Sequence, residues 1–399
     1  MLVAASVFAQ QDERAQDLFQ QHRWFDLKGV PVADRYASAL IDGALASAFN
    51  RPGEAERQLK DAVRLAKGTE QINTAREKLL VLYLRQNRTR EATKQMEAAL
   101  KRDPSRSDMR AMLDLVGPVA GYPPFTVRRP KNLPSPISCE VTDSGVWFAV
   151  LGNGHKVSWL LDTGANFSFM SESEAKSLGV VMHGGVGAMH DFAGGDAQAK
   201  IGVMERLTIG GFELRSLPVL IFPDNRPPFD KWAPSRRGVI GLTAAIALDA
   251  LSWTRSGVCD AGFSQNSKSK ANLAFDDLSP VVRATLDSKP IEFLLDTGNQ
   301  AGTQLWTRFK ADFAQAVAAP GVSFGTEHIV QPGGSNDRPA TLIPQLKFDV
   351  GGLGAVLKPA RLFAKPVGND YHHGLLGMDV FSQAREITLD FRNMTFTAR

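Results

Sequence analysis

The sequence predicts a multidomain chain in which α-helical hairpins precede an all-β body of two duplicated lobes. Three observations carry this. Residues 10–116 are rich in Ala, Leu, Arg, Glu and Gln at helical spacing. A proline-rich run then ends the helical pattern, and beyond it short apolar runs alternate with Gly, Asn, Asp and Pro, the signature of strands and tight turns. Within that β-rich part, four sequence features recur in the same order at nearly constant offset.

The 399 residues, 43% hydrophobic and 22% charged, suit a globular protein long enough for two or three compact units. A formal net charge of +4, with no basic run interleaved with aromatics, speaks against nucleic acid as a partner. No apolar stretch reaches the roughly 20 residues a membrane crossing needs, so no stable transmembrane helix is expected.

The first element is residues 1–9. Leu2 to Ala9 reads as the tail of an apolar signal-peptide core, with the small residues Val7 and Ala9 placed for cleavage before Gln10; the basic segment that normally precedes such a core is missing. The expectation is a truncated signal peptide and an exported protein, periplasmic or secreted; the competing reading is an apolar helix start belonging to the mature fold. Two cysteines, Cys139 and Cys259, fit no metal spacing. In an oxidising compartment they either pair or stand as two small buried side chains.

The helical region, 10–116, contains a weak internal repeat: Glu54-Ala55 recurs as Glu91-Ala92, and the second copy closes with Lys101-Arg-Asp-Pro104. This resembles a tetratricopeptide repeat, whose usual period is about 34 residues. The resemblance covers two units and implies a concave surface for a protein partner; a helical cap that only stabilises the body is the alternative. Gly117-Pro118, Gly121-Tyr-Pro-Pro124 and Leu133-Pro-Ser-Pro136 cannot continue a helix, which makes 117–136 a linker.

Lobe 1 is read as 137–263 and lobe 2 as 273–399, separated by the polar run 264–272. In the first, Val146-Trp-Phe-Ala-Val-Leu151 and Val157-Ser-Trp-Leu-Leu161 flank the turn signal Gly152-Asn-Gly154, and the second strand runs into Asp162-Thr163-Gly164. In the second, Val281-Val-Arg-Ala-Thr-Leu286 and Ile291-Glu-Phe-Leu-Leu295 run into Asp296-Thr297-Gly298, 134 residues later. Leu207-Thr-Ile-Gly-Gly211 then matches Phe348-Asp-Val-Gly-Gly352, and Val239-Ile-Gly241 matches Leu375-Leu-Gly377. One Asp-Thr-Gly is a weak signal, because Asp and Gly are ordinary turn residues. Two copies with their glycine partner segments are a strong one.

These residues resemble the aspartic peptidases, and the resemblance covers both copies. The short spacing between the aspartates is more like two fused retropepsin-like halves of bacterial type than a full pepsin-like protein with its larger lobes. Leu160-Leu-Asp-Thr-Gly-Ala-Asn-Phe-Ser-Phe-Met170 carries the retropepsin-like pattern; the second copy departs from it, with Asn299 at the position of Ala165. The resemblance implies a bilobal aspartic-protease fold complete within one polypeptide, so that no dimer is needed. It also implies an endopeptidase with polypeptide as substrate. Asp162 and Asp296 would be the catalytic pair, supported by Thr163, Gly164, Thr297 and Gly298. Two carboxylates held close together cannot both ionise, so the pair shares one proton and supplies base and acid together, behaviour for which the aspartic proteases are themselves the standard example. No metal or other cofactor is required.

The resemblance further implies a flap over the substrate in each lobe. The candidates are His190, Phe192, Gly194 and Gly195 in the first copy, and His328, Gly333 and Gly334 in the second, where glycine tips suit a mobile lid. His372 and His373 lack ligand spacing and read as loop residues. The departure at Asn299 motivates an alternative, a pseudo-protease that binds peptide or protein without cutting it. A third reading makes the β body a stable scaffold for the helical head. Because Ala165 has no hydroxyl to donate to the carboxylate, the expected optimum is less acidic than that of pepsin.

Overall fold

The computed structural model describes residues 12–190, 196–262, 270–331, 334–364 and 371–399. They form two compact units. One holds the residues up to Leu113 together with Ala274–Leu278; the other holds Asp114–Leu273 and Ser279–Arg399. The signal-peptide reading of residues 1–9 lies outside the described residues.

The first unit is helical, as the spacing predicts. Helices Arg35–Ala48, Pro52–Leu65, Thr69–Arg85 and Thr89–Arg102 each turn an apolar stripe inward, and Ala55, Leu59, Ala62, Ala92 and Met96 are fully buried. Asp34 caps the first of these helices by accepting from the Ala37 amide at 2.8 Å, and Pro52 opens the next, where a missing N–H costs nothing. Small residues let the helices approach: a Cβ on Gly43 would lie 2.7 Å from Leu59 Cγ. The buried guanidinium of Arg85 donates from Nη2 to Ser47 O and Oγ at 2.6 Å and from Nη1 to Asp277 O at 2.7 Å, above the ring of Phe275. Asp276, also in this unit, accepts from Trp24 Nε1 at 3.0 Å and lies 2.5 Å from His22 Nδ1.

The second unit is built from three sheets. In the first, the strands run Thr126–Arg128, Phe212–Phe222, Ser168–Ser171, Gly238–Ile240, His155–Leu161, Gly145–Gly152, Asp196–Ile209 and Met182–His190. The middle of this order is doubly covered and apolar, with Phe148, Trp159, Leu161 and Ile240 fully buried. The hairpin Gly145–Gly152/His155–Leu161 closes through Asn153 and Gly154, both at positive φ, which is the backbone a two-residue hairpin turn needs. Strand His155–Leu161 then pairs in parallel with Gly238–Ile240, Leu161 opposite Ile240.

A further sheet runs Ser323–Gln331, Gly334–Ile343, Ala360–Phe363, Gln304–Leu305, Gly374–Leu376, Lys289–Leu295, Ser279–Leu286, Leu346–Val350 and Leu353–Leu357. Its hairpin Ser279–Leu286/Lys289–Leu295 also turns through two positive-φ residues, Asp287 and Ser288. Strand Lys289–Leu295 pairs in parallel with Gly374–Leu376, Leu295 opposite Leu376. The remaining sheet is antiparallel, in the order Ser135–Ile137, Cys259–Ala261, Ala250–Thr254, Glu386–Asp390, Thr395–Ala398. It joins two strands that follow the first Asp-Thr-Gly to two that follow the second. Cys139 and Cys259 form a disulfide, their Cα atoms 6.2 Å apart, which decides between the two readings left open by the sequence.

Candidate active site

Each Asp-Thr-Gly lies at the end of a central strand, where the backbone leaves the sheet. The Asp162 amide donates to Ile240 O at 3.0 Å, and the Asp296 amide donates to Leu376 O at 3.1 Å. Both aspartates are therefore pinned by the short parallel strand that precedes a glycine, Gly241 or Gly377. Those glycines are required by close approach: a Cβ on Gly241 would lie 2.3 Å from the Phe167 carbonyl carbon, and one on Gly377 2.8 Å from Asn299 Nδ2.

The two loops meet. The Thr163 amide donates to Thr297 Oγ1 at 3.1 Å and the Thr297 amide to Thr163 Oγ1 at 3.1 Å. Each hydroxyl then donates across to the other strand, Thr163 Oγ1 to Leu295 O at 2.8 Å and Thr297 Oγ1 to Leu161 O at 2.9 Å. Both threonines are fully buried, so the four bonds are made where water cannot replace them.

This crosslink brings the carboxyls of Asp162 and Asp296 into hydrogen-bonding contact with each other. Each loop glycine passes beneath the opposite carboxyl: a Cβ on Gly164 would lie 2.4 Å from Asp296 Cγ, and one on Gly298 2.3 Å from Asp162 Cγ. No residue with a side chain fits there. Backbone amides also hold each carboxyl from its own loop. Gly164 N and Ala165 N donate to Asp162 Oδ1 at 2.9 and 3.0 Å, and Gly298 N donates to Asp296 Oδ1 at 2.9 Å.

Burial raises both carboxyls above the ordinary aspartate range, because little water remains to solvate their charge. Asp296 is pushed furthest: burial acts first and the charge of Asp162 adds to it. Yet both residues keep part of their surface open to solvent. The arrangement is a buried carboxyl pair with one accessible side, able to hold a proton between two oxygens and to accept another from a bound molecule.

Several supporting residues have no obvious signal in the sequence. Ser168 Oγ accepts from the Gly241 amide at 3.1 Å, and Thr303 Oγ1 accepts from the Gly377 amide at 3.1 Å. Asp379 fixes Thr303, accepting from its amide at 2.8 Å and its hydroxyl at 2.7 Å. Asn299 stabilises its own loop, donating from Nδ2 to Gly302 O at 2.8 Å and accepting from the Ala301 amide at 3.1 Å. A hydroxyl residue a few positions after each Asp-Thr-Gly is the only sequence signal that pairs Ser168 with Thr303.

Of the flap candidates, His190 ends strand Met182–His190 opposite Asp196, and Gly334 opens strand Gly334–Ile343 opposite Gln331. His328 is exposed on strand Ser323–Gln331 and faces Asp337 across the pair, Nδ1 to Oδ1 2.7 Å. Phe192, Gly194, Gly195 and Gly333 lie outside the described residues. His372 and His373, read from the sequence as loop residues, precede a core strand and are almost fully buried. His373 Nδ1 accepts from the Glu292 amide at 3.0 Å while Nε2 donates to Asp312 at 3.1 Å. Burial, reinforced by the charge of Arg308, pushes its pKa down to about 4. One His/Asp grouping among the described residues has metal-like spacing, His22 with Asp276 and Asp277. Lys78 Nζ already stands 2.7 Å from Asp277 Oδ1, so a cation there would compete with an ammonium.

A carboxyl pair on two crosslinked Asp-Thr-Gly loops is the arrangement that the resemblance to the aspartic peptidases implies. The family comparison agrees: residues 148–244, which contain the first of these loops, match the model for aspartyl proteases. The resemblance to the aspartic peptidases is thereby shown over that segment. A search of curated proteins gave no significant match. Among solved structures, a retropepsin-like aspartic protease from Rickettsia conorii is similar at 12% identity, covering 34% of this protein and 92% of its own length, with TM-score 0.23. Basic 7S globulin from soybean is similar at 10% identity over 67% of this protein and 92% of its own length, with TM-score 0.36. A protein described as edgp gives 10% identity over 66% of this protein and 94% of its own length, also with TM-score 0.36. These structural likenesses are weak. Among the described residues no helix is long and apolar enough to cross a membrane.

Proposed function

We propose that the second unit is an aspartic endopeptidase in which Asp162 and Asp296 are the catalytic pair. The observation that carries this is the contact between the two carboxyls, held by the reciprocal bonds of Thr163 and Thr297. In the resting pair, both carboxyls raised by burial, one proton is shared between Asp162 and Asp296. Water held between them loses a proton to the Asp162 carboxylate as its oxygen attacks the scissile carbonyl carbon. The Asp296 carboxyl gives its proton to the carbonyl oxygen, so no free oxyanion forms. Collapse of the tetrahedral intermediate breaks the C–N bond while Asp162 returns its proton to the departing nitrogen. The hydroxyl proton goes back to Asp296, and the pair regains its starting state.

Thr163, Gly164, Thr297 and Gly298 are positioning residues in this reading. The parallel pairings Leu161–Ile240 and Leu295–Leu376, the two positive-φ hairpin turns and the paired Gly241 and Gly377 contacts support duplicated lobes, 137–263 and 273–399. The hairpins Met182–His190/Asp196–Ile209 and Ser323–Gln331/Gly334–Ile343 are the candidates for substrate flaps. The helical region 10–116, beyond which 117–136 is the linker, is proposed as a tetratricopeptide-like partner surface. The disulfide is compatible with an exported protein, consistent with a signal peptide over residues 1–9.

Asn299, the departure behind the pseudo-protease alternative, spends its amide on Gly302 and Ala301 and leaves Asp296 in contact with Asp162. This favours the active reading. The test is digestion of denatured protein from pH 3 to 8 by the full-length protein beside Asp162→Asn and Asp296→Asn. Cleavage lost by about 10²–10⁴-fold in each variant is expected. A folded parent that cuts nothing at any pH would favour the binding module instead.

A further inference from the structure

Beside the carboxyl pair the two lobes place different chemistry at equivalent positions. Ser168 and Thr303 each accept from the glycine amide behind an aspartate, at 3.1 Å in both cases. The residue that follows is Phe169 in lobe 1 and Gln304 in lobe 2. Phe169 is paired with Leu220 on one neighbouring strand and Val239 on the other. Gln304 is paired with Arg361 and Leu375. Paired residues share a face of the sheet, so Gln304 and Arg361 stand where lobe 1 has an aromatic and an aliphatic side chain. Phe169 packs edge-on against Phe222 and Phe229. The Gln304 amide oxygen, by contrast, is buried with no hydrogen-bond partner among the described residues. An orphaned acceptor is a liability in a finished core and an asset in a site.

Arg361 connects this position to solvent and to the second candidate flap. Its side chain and that of Glu327, on strand Ser323–Gln331, each keep 28% of their surface exposed, so both can be reached by a bound molecule. A Cβ on Gly302 would lie 3.2 Å from Arg361 Nη1, which puts the guanidinium against the loop that follows Asp296-Thr297-Gly298. Arg361 Nε stands 2.9 Å from Glu327 Oε2, yet it makes no aligned hydrogen bond among the described residues. In a flat sheet the two side chains could not meet. Arg361 pairs with Leu342 and Leu342 with Ser323, four residues before Glu327, which at ordinary strand spacing separates the Cα atoms by about 17 Å. The hairpin Ser323–Gln331/Gly334–Ile343 therefore curls over the face that carries Arg361 and Gln304.

We propose that Gln304 and Arg361 select a substrate side chain bearing a carboxamide, Asn or Gln, on the lobe 2 side of the carboxyl pair. Its N–H donates to Gln304 Oε1 and its C=O accepts from Arg361. A carboxamide carries both a donor and an acceptor. A carboxylate has no hydrogen to give Gln304 and meets the charge of Glu327, an ammonium meets the charge of Arg361, and an aliphatic side chain leaves both groups unpaired. Lobe 1, with Phe169 and Leu220, makes no such demand. The proposal rests on the reading of Asp162 and Asp296 as the catalytic pair.

The experiment offers one peptide library to the full-length protein in two forms. The parent is read by mass spectrometry of its cleavage products, and Asp162→Asn by the peptides it captures intact. Cleaved peptides should be enriched in Asn and Gln at one position near the cut, and captured peptides enriched in the same two residues. For the best substrate, replacing that residue by Glu, Lys or Leu should lower kcat/KM roughly tenfold or more. Arg361→Leu, which copies Leu220, and Gln304→Leu should each remove that discrimination, with circular dichroism confirming that the variants fold. A parent that cuts nothing defeats the peptidase reading, and carboxamide enrichment among the captured peptides then still upholds the subsite. The subsite is overturned if neither the cleaved nor the captured peptides favour Asn or Gln, or if both folded variants keep the parent's discrimination.

Discussion

The amides of Thr163 and Thr297 each donate to the hydroxyl of the other residue, at 3.1 Å in both directions, so neither loop can be set without its counterpart. Thr297→Val keeps the shape and removes the hydroxyl, leaving Leu161 O and the Thr163 amide without their partner in a dry region. Two such orphaned groups cost roughly 2–5 kcal/mol. A denaturant titration should show stability falling by that amount with an unchanged slope, and the proposed peptide cleavage falling further than the folded fraction does.

Asp296→Asn is expected to stabilise the protein at neutral pH. A carboxyl whose folded pKa is raised binds its proton more tightly in the native state than in the unfolded state, so stability declines as pH rises from the unfolded value toward the raised one. Every unit of that elevation is about 1.4 kcal/mol. Thermal melts of parent and variant should therefore converge near pH 3 and separate toward pH 7, the variant higher. Equal melting points at every pH would show that the pair carries no such penalty.

His373 pushes in the opposite sense. Its folded pKa is about 4, below the usual 6.5, so the native state refuses a proton that the unfolded state accepts. Its contribution is present above pH 6.5 and is lost as pH falls through the interval down to about 4. The loss is about 3 kcal/mol. His373→Asn retains an acceptor for the Glu292 amide, lowers stability at pH 7 by leaving a small cavity, and should flatten the pH dependence between 6.5 and 4. A variant with the parent's slope would assign the acid sensitivity elsewhere.

Reduction of Cys139–Cys259 should destabilise the second unit by roughly 2–5 kcal/mol, since the bridge closes a long loop, with 120 residues of separation. Guanidinium unfolding with and without reductant reads this directly. Cys139→Ser with Cys259→Ser should reproduce the reduced value and be indifferent to reductant.

The helical start, the β-rich body and the Asp-Thr-Gly loops were legible because each rests on a local pattern: helical spacing, strand alternation with turn residues, and an apolar strand entering a tight turn. The partner segments Val239-Ile-Gly241 and Leu375-Leu-Gly377 were legible through recurrence, and the structure places both behind the aspartates. Pairing of the cysteines was not, because it depends on a sheet assembled from strands far apart in sequence. Asp379 carries no local signal, since only the fold sets it against Thr303. His372 and His373 lie in a bend, as read from the sequence, but their burial was not legible, because for His373 it rests on the tertiary partners Glu292 and Asp312. Grouping of residues 274–278 with the helices was likewise invisible, since the buried Arg85 that receives them is almost 200 residues away, at a separation of 192.

The antiparallel sheet that joins Ala250–Thr254 to Glu386–Asp390 limits when a newly made polypeptide can bring its two Asp-Thr-Gly loops into one frame. Asp162 and Asp296 are both synthesised well before the strands Gly374–Leu376 and Glu386–Asp390, yet Asp296 hangs from Leu376 O and the shared sheet closes only with the last strands. Domains form as the polypeptide emerges, N-terminal parts first. A nascent polypeptide thus holds both acids without the frame that makes them a pair until Gly374–Leu376 and the strands after it have emerged.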